Sequence, residues 1–446
     1  MIEAVDGSFR DPDSQVFVTG GAVLRGLTEE ASQGLTAAMA AGLSSRSVLP
    51  FERADPPPGW HAGISTTRLP FVSAPCEWSF SMLREAALLT LDITELAARS
   101  GFTIVDAPAD NVTFQGTEAV FIDLGSFRPG EMEQWSAYGQ FCDNFLAPLM
   151  LEAYRGVPFQ RYLGDHGLSI LDLERMLSLS DNRRKGVLTH VRARALLERR
   201  AQRMTVESRR ALRADARPGP AGVARMVGNL RELIKRLTSA ASTEWAGYES
   251  VYNDDGGTPE TKEEFVRAAA ASSERIGWAY DVGANAGRFS RILAEYFPTV
   301  LAIEQDPGAV DELVAACRPS RVIHPAVIDI TAPTPSRGLM LTERRSLVDR
   351  APATFATFLA VIHHLSIGGG IPLAKTVELM RWVAPEIVVE FVEPEDERVQ
   401  QITAARPLAA RGYTKDAFEA ALLSAFDVVA QRRVSETRLL YHAVSR

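Results

Sequence analysis

The sequence predicts an α/β chain of two domains, and three observations carry that expectation. At 446 residues the chain exceeds what one ordinary hydrophobic core organises. A hydrophobic content of 46% with 23% charged residues is that of a globular protein with enough apolar side chains for sizeable cores. From about residue 245 onward, short apolar runs alternate with helical stretches, the pattern of a mostly parallel sheet wound with helices.

Residues 1–182 are the first expected domain, of α+β type. Strand-like runs occupy 16–19 and 120–122, and a long apolar helix covers 80–99, stopped by Gly101. No apolar run reaches the roughly 18–20 residues that span a bilayer. The start, with Glu3, Asp6 and Asp11, lacks the basic-then-apolar layout of a signal peptide. Cys76, Cys142 and Cys317 are widely spaced and form no C-x-x-C pair, so neither a disulfide framework nor a cysteine metal site is expected. Together these features point to a reduced, cytoplasmic protein. Its Ala-, Arg- and Gly-rich composition suits a bacterium of high genomic G+C.

Residues 183–244 are read as an Arg-rich helical connector. Between Arg183 and Arg236 stand fourteen arginines and two lysines against four acids, while the whole chain carries −8. Such a stretch is able to hold nucleic acid, anionic lipid or an anionic glycan. No aromatic residue interleaves with the arginines to stack on bases, so nucleic acid is not the expected partner. The plainer reading is a solvated helix whose stripe of Leu188, Val191 and Ala195 packs inward while Arg192, Arg199 and Arg203 face water or the acidic domains. Arg217-Pro218-Gly219-Pro220 reads as a helix breaker.

Residues 245–446 carry the clearest chemistry. A buried strand over 276–282 runs into Asp281-Val282-Gly283-Ala284-Asn285-Ala286-Gly287. Glycines at such a turn let the backbone approach a ligand where the following helix begins. The next strand, 300–303, ends in Glu304, about twenty residues on, where such folds set an acid against ribose hydroxyls. A third, 321–328, closes with Asp329, suited to accept from an adenine amino group. A fourth, 355–361, leads into His363 and His364; a fifth covers 387–391; and 428–429 with 439–443 supply a closing antiparallel pair. Upstream, the aromatic residues of 245–252 and Lys262 suit a helical cap whose rings rest against a cation, or a core face.

This ordered set resembles class I methyltransferases dependent on S-adenosylmethionine (SAM), on a Rossmann-like sheet of seven strands. Their glycine motif is acid-x-Gly-x-Gly-x-Gly; here Asn285 replaces the middle glycine. The resemblance implies that Asp281, Gly283, Asn285, Gly287, Glu304 and Asp329 bind SAM. A dinucleotide dehydrogenase expects G-x-G-x-x-G and a larger domain afterwards, and neither is present. A hydroxyl acceptor needs a base with a pKa near neutrality, and His363 and His364 are the candidates, with Glu390 and Glu393 close by at the fifth strand's end. The insertion around Arg337–Arg345 suits an anionic acceptor or a salt-bridged loop.

In the first domain, Asp106 and Asn111 have the D-x-x-x-x-N spacing of a kinase catalytic loop, and Asp123-Leu124-Gly125 resembles the metal-binding Asp-Phe-Gly element. In that resemblance Asp106 accepts a proton while Asn111 and Asp123 hold Mg²⁺. No lysine precedes Lys185, so the phosphate-positioning lysine is missing. Arg25 and Arg68 are the only substitutes weighed, and a guanidinium is no simple replacement for an ammonium. Val18-Thr19-Gly20-Gly21 is a poor glycine loop. The expectation is a degenerate kinase-like lobe, a pseudokinase, with ATP and Mg²⁺ as cofactors only if it is active.

The full arrangement is similar to bacterial nodulation-type methyltransferases, through Pro75-Cys76-Glu77-Trp78-Ser79-Phe80, the Asp106 to Asp123 region, Ile362-His363-His364-Leu365 and Val389-Glu390-Phe391-Val392. It implies a small-molecule or glycan acceptor, with O-methylation preferred. The rivals are a bifunctional kinase–methyltransferase and a regulatory protein that binds SAM or nucleotide without turnover. The sequence names neither the acceptor nor the oligomeric state.

Overall fold

The computed structural model describes residues 3–19, 21–164, 167–205, 217–243, 259–275 and 277–446. The chain divides into two compact units. Unit 1 comprises Met1–Gln115, Ala119–Ser242 and Ser336–Arg344; unit 2 comprises Gly116–Glu118, Thr243–Pro335 and Arg345–Arg446.

Unit 1 begins with strands β1 (Glu3–Ala4), β2 (Ser14–Thr19), β3 (Ala22–Leu27), β4 (Phe51–Ala54) and β5 (Ala62–Thr67), in the antiparallel order β1-β2-β3-β5-β4. The weak glycine loop is the β2–β3 turn, of which Gly20 lies outside the described residues. Helix α1 (Glu29–Ala40) starts at Thr28, whose hydroxyl accepts from the Ala31 N–H, the usual N-cap device. The long apolar helix is α2 (Phe80–Ser100); it ends at Gly101, whose φ of 73° is the left-handed conformation favoured at a C-terminus. Its Leu83, Ala87, Leu91, Thr94 and Ala98 are buried at spacings of three and four, one face of a helix. Beyond it lie β6 (Phe102–Ile104), β7 (Val112–Gln115), β8 (Glu118–Phe121) and β9 (Phe127–Pro129), paired β6·β9 and β7·β8.

The described part of the basic segment folds as helices of unit 1, among them α3 (Ala193–Gln202) and α4 (Gly219–Lys235). Val191 and Ala195 are buried as expected, but Leu188 is 56% exposed. The arginines find acids: Arg192 and Arg199 pair with Glu174, Arg194 with Glu198, and Arg231 with Glu95 and Asp92 on α2. The Pro-Gly-Pro stretch stands at the start of a helix, with Pro220 in the first turn of α4, while residues 206–216 before it lie outside the described residues. A first-turn proline loses nothing, because its missing N–H has no partner inside a helix there.

Unit 2 is a seven-stranded sheet ordered β12-β11-β10-β13-β14-β16-β15. Its strands are β10 (Trp278–Val282), β11 (Thr299–Glu304), β12 (Ile323–Val327), β13 (Ala353–Phe358), β14 (Glu386–Val392), β15 (Phe426–Ser435) and β16 (Arg438–Ser445). The first five are parallel, and β16 runs antiparallel to both β14 and β15. Helices α5 (Pro259–Ser272), α6 (Arg288–Leu293), α7 (Pro307–Cys317), α8 (Leu373–Val383), α9 (Glu397–Ala405) and α10 (Lys415–Ala425) accompany it. β14 is buried along its whole length, as a strand covered on both faces must be. The fourth strand is shorter than its apolar run, because Ala360 turns to a φ of 53° just past its end. The aromatic residues of 245–252 lie outside the described residues, as do Ile276 and residues 206–216 of the basic stretch. Among the described residues, no helix is long and apolar enough to cross a membrane.

Two glycines give opposite expectations. A methyl group at Gly34 of α1 would run into the Phe127 carbonyl and the Arg128 amide of β9, while at Gly228 of α4 it meets nothing within 4 Å. Gly34→Ala is expected to destabilise by about 1–3 kcal/mol through overpacking, and Gly228→Ala to stabilise by about 0.5–1 kcal/mol. Thermal unfolding midpoints of the two variants check the opposite signs.

Candidate functional site

The order of the sheet in unit 2 reverses at β10: β11 continues to one side, and β13 lies on the other. In open α/β sheets the crevice outside the carboxyl ends of such strands is where ligands bind. The glycine turn leaves β10 there. Gly283, Asn285 and Gly287 all have left-handed backbones, with φ of 75°, 44° and 80°. Asparagine tolerates this conformation better than other side chains, which lets Asn285 stand where glycine is usual. A Cβ at Gly283 would come within 2.6 Å of Val361 Cγ2, so the turn and the segment after β13 approach closely only because that side chain is absent. A Cβ at Gly287 would crowd Cys317 and Leu313 of α7, so this glycine serves helix packing.

Asp281 is 2% exposed and turned inward. It accepts from Ser290 Oγ at 2.6 Å and Thr357 Oγ1 at 2.8 Å. Glu304 is buried at the end of β11, its Oε1 accepting from the Gln305 and Asp306 amides at 2.7 and 3.0 Å and its Oε2 from the Asn285 amide at 3.2 Å. Burial pushes its carboxyl above the usual range despite these donors. With about four lone-pair positions on a carboxylate, Oε2 keeps room for one further donor. Asp329 is exposed, its Oδ1 accepting from the Thr331 amide and hydroxyl.

His363 and His364 follow β13, their ring centroids 4.2 Å apart. His363 is 1% exposed. Burial, then the charges of His364, Arg438, Arg398 and Lys262, hold its pKa well below the ordinary histidine range. Burial and Arg398 lower that of His364 to about 4. Both rings are therefore neutral near pH 7. Nearby, Glu390 on β14 is fully buried, its Oε1 2.8 Å from Lys262 Nζ and 3.4 Å from Arg438 NH1. Glu393 points elsewhere and pairs with Arg433. Ala360 and Arg438 were not singled out in the sequence. Alanine carries no left-handed signal, but an arginine at the head of the apolar run of β16 is compatible with a buried acid beside it.

A second cluster lies wholly within unit 1, in a cavity of about 710 Å³. Asp106, Asn111 and Asp123 all line it. Asn111 Nδ2 donates to Asp106 Oδ1 at 3.1 Å, and Arg25 of β3 reaches Asp123 Oδ1 at 2.8 Å. Arg128 pairs with Asp13. Arg68 is exposed and not part of the lining, so of the two arginines considered only Arg25 stands in the cavity. The insertion containing Arg337 closes part of the wall as a salt-bridged loop, with Arg344 on Asp110 and Glu343 on Arg10 at 2.6 Å. Among the described residues, no group of three His, Cys, Asp or Glu side chains is arranged to hold a metal ion.

No family model matches the chain. It is similar to the nodulation protein NoeA of Rhizobium meliloti (strain 1021), with 30% identity over 454 residues, 98% of this chain and 95% of that protein. Among solved structures, it is similar to the N-methyltransferase NodS from Bradyrhizobium japonicum WM9 in complex with S-adenosyl-L-homocysteine (16% identity, 45% of this chain and 94% of that one, TM-score 0.33). Another is the PH0226 protein from Pyrococcus horikoshii OT3 (13% identity, 45% and 99%, TM-score 0.30).

Asp106 yields a pH-dependent expectation. Burial first, then the charge of Asp123, raise its pKa from 3.8 to about 6. An acid whose folded pKa exceeds its unfolded value binds its proton more tightly when folded, so its ionisation costs stability as pH rises through that window. Asp106→Asn is expected to raise the unfolding midpoint relative to the parent at pH 8, with a smaller difference at pH 5. An equal difference at both values would refute the assigned shift.

Proposed function

The chain belongs to the family of the nodulation protein NoeA, and from that premise we propose that it is a SAM-dependent methyltransferase acting on a small polar or carbohydrate-like acceptor, with a hydroxyl oxygen as the methylated atom. The observation that carries this reading is the glycine turn with Glu304, two elements from adjacent strands joined by the Asn285 amide at the reversal of the sheet. The donor set fits a nucleoside: a left-handed turn without side chains at Gly283, and a buried carboxylate with one open lone-pair position.

When bound, SAM supplies a methyl group on a sulfonium, which passes to the attacking acceptor atom as the carbon–sulfur bond breaks. Glu304 would hold ribose hydroxyls, the Gly283 to Gly287 turn the chain's approach to the nucleoside, and Asp329 the adenine edge. Asp281 acts indirectly, by fixing the turn to β13. His363 and His364 are the candidates to accept a hydrogen bond from the hydroxyl through a neutral imidazole nitrogen; their lowered pKa values make them weaker bases than the near-neutral histidine such a step calls for.

A second reading concerns unit 1. The convergence of Asp106, Asn111 and Asp123 on one cavity favours a kinase-like lobe, and the Arg25–Asp123 pair favours its being degenerate. That guanidinium occupies the carboxylate on which a kinase relies for metal. The lobe's task on this reading is to hold an acceptor or a partner.

For the methyltransferase reading, Glu304→Gln is expected to weaken SAM binding by about 1.5–3 kcal/mol, the range for a hydrogen bond to a charged group. His363→Ala or His364→Ala should leave that affinity intact while methyl transfer to an extract of the producing cells falls by about 10²–10⁴-fold. Calorimetry and labelled-methyl counting read the two effects. Full SAM affinity in a folded Glu304→Gln variant would remove Glu304 from the site. For the lobe, labelled ATP should give neither phosphorylated product nor hydrolysis. Turnover that disappears in Asp123→Ala would establish an active kinase instead.

A further inference from the structure

In unit 2, His363 Nδ1, after β13, and Glu390 Oε2, on β14, are buried with no hydrogen-bond partner among the described residues. These strands are adjacent in the sheet. Both side chains are essentially without solvent exposure, at 1% and 0%. Buried polar atoms are nearly always satisfied, and exceptions in a native fold call for an explanation such as a chemical role or a bound water, ion or ligand. The two belong to one electrostatic neighbourhood. Lys262 and Arg438, which hold the other oxygen of Glu390, are also among the cations that act on His363.

We propose that Glu390 and His363 form an acceptor subsite in which the free Glu390 oxygen accepts a hydrogen bond from a neutral hydroxyl of a sugar-like acceptor, and that Lys262 and Arg438 exclude an ammonium there. This rests on the methyltransferase reading and names the recognition element within it. Glu390 Oε2 can only accept when ionised, so a ligand that completes it must bring a donor. A hydroxyl supplies that donor without adding charge. An ammonium would also supply it, but the positive charges of Lys262 and Arg438 on the other oxygen of Glu390 repel it. Lys262 and Arg438 also lock the Glu390 carboxylate in one orientation, so its free oxygen is presented without further ordering.

The test uses the full chain loaded with S-adenosyl-L-homocysteine and follows its thermal unfolding midpoint. Methyl glucoside and glucosamine, similar in size and different in charge, are titrated to about 0.1 M, well above the millimolar affinity expected of so small a ligand. Methyl glucoside should raise the midpoint of the parent protein more than glucosamine does. Glu390→Gln should weaken that response about tenfold in concentration while keeping the response to S-adenosyl-L-homocysteine. Preference for glucosamine, an unaltered sugar response in Glu390→Gln, or no response to any sugar would overturn the subsite. If Glu390→Gln does not fold, Lys262→Met decides: removing the cation should shift the preference toward glucosamine about tenfold, and an unchanged preference overturns the proposal. Absence of any response to S-adenosyl-L-homocysteine in the parent protein would instead sink the methyltransferase reading.

Discussion

The carboxylate of Asp281 is the clasp on which unit 2 depends. It sits on the central strand, almost without solvent exposure, and receives one hydroxyl from the helix after the glycine turn and one from the neighbouring strand β13. A buried charge without such donors is costly, and each donor removed would leave part of that cost uncompensated. The clasp therefore joins the two sides of the sheet reversal at one point. The left-handed residues Asn285 and Ala360 then turn the chain away from it on either side, and the crevice opens between them. Strain of this kind persists only where surrounding structure over-determines the backbone.

Much of unit 2 was legible because its strands are buried on both faces. Continuous apolar runs such as Val300-Leu301-Ala302-Ile303 and Ile387-Val388-Val389 mark such strands directly, and the acids at their ends mark the carboxyl edge. Single-residue conformations were not legible. Nothing in the residue type of Ala360 predicts a positive φ, and the fourth strand was accordingly read three residues too long. The insertion near Arg337 suits an anionic acceptor or a salt-bridged loop equally by sequence, because its pairing with Asp110 and Arg10 is a long-range matter that no local spacing encodes. The same holds for Lys262, Glu390 and Arg438, three charged residues far apart in sequence that share one buried cluster. The same ring that breaks a helix interior suits a helix start, and the apolar periodicity of Val223, Val227, Leu230 and Ile234 marks the helix that begins after Pro218.

The basic stretch illustrates how composition overstates availability. Its arginines are conspicuous in sequence, yet Glu174 alone engages two of them, and Arg231 is spent on two acids of α2. Pairing of this sort anchors a helix to its neighbour and lowers the positive potential that would attract a polyanion. The cavity in unit 1 shows the complementary effect, with acids and guanidiniums interleaved around one space. Its charged side chains are many while their net charge is small.

The segment Ser336–Arg344 belongs to unit 1 although the chain on both sides of it belongs to unit 2. During synthesis the ribosome delivers the sheet of unit 1 first, then the three strands β10 to β12, and only afterwards the loop that supplies Arg337, Glu343 and Arg344 to the unit 1 cavity. Closure of that cavity wall thus waits on about a hundred residues of the other unit, and the two halves cannot mature strictly one after the other, as contiguous domains commonly do. A gene fragment ending near residue 244 would encode a lobe with an open wall, and a fragment starting there would carry an orphaned loop.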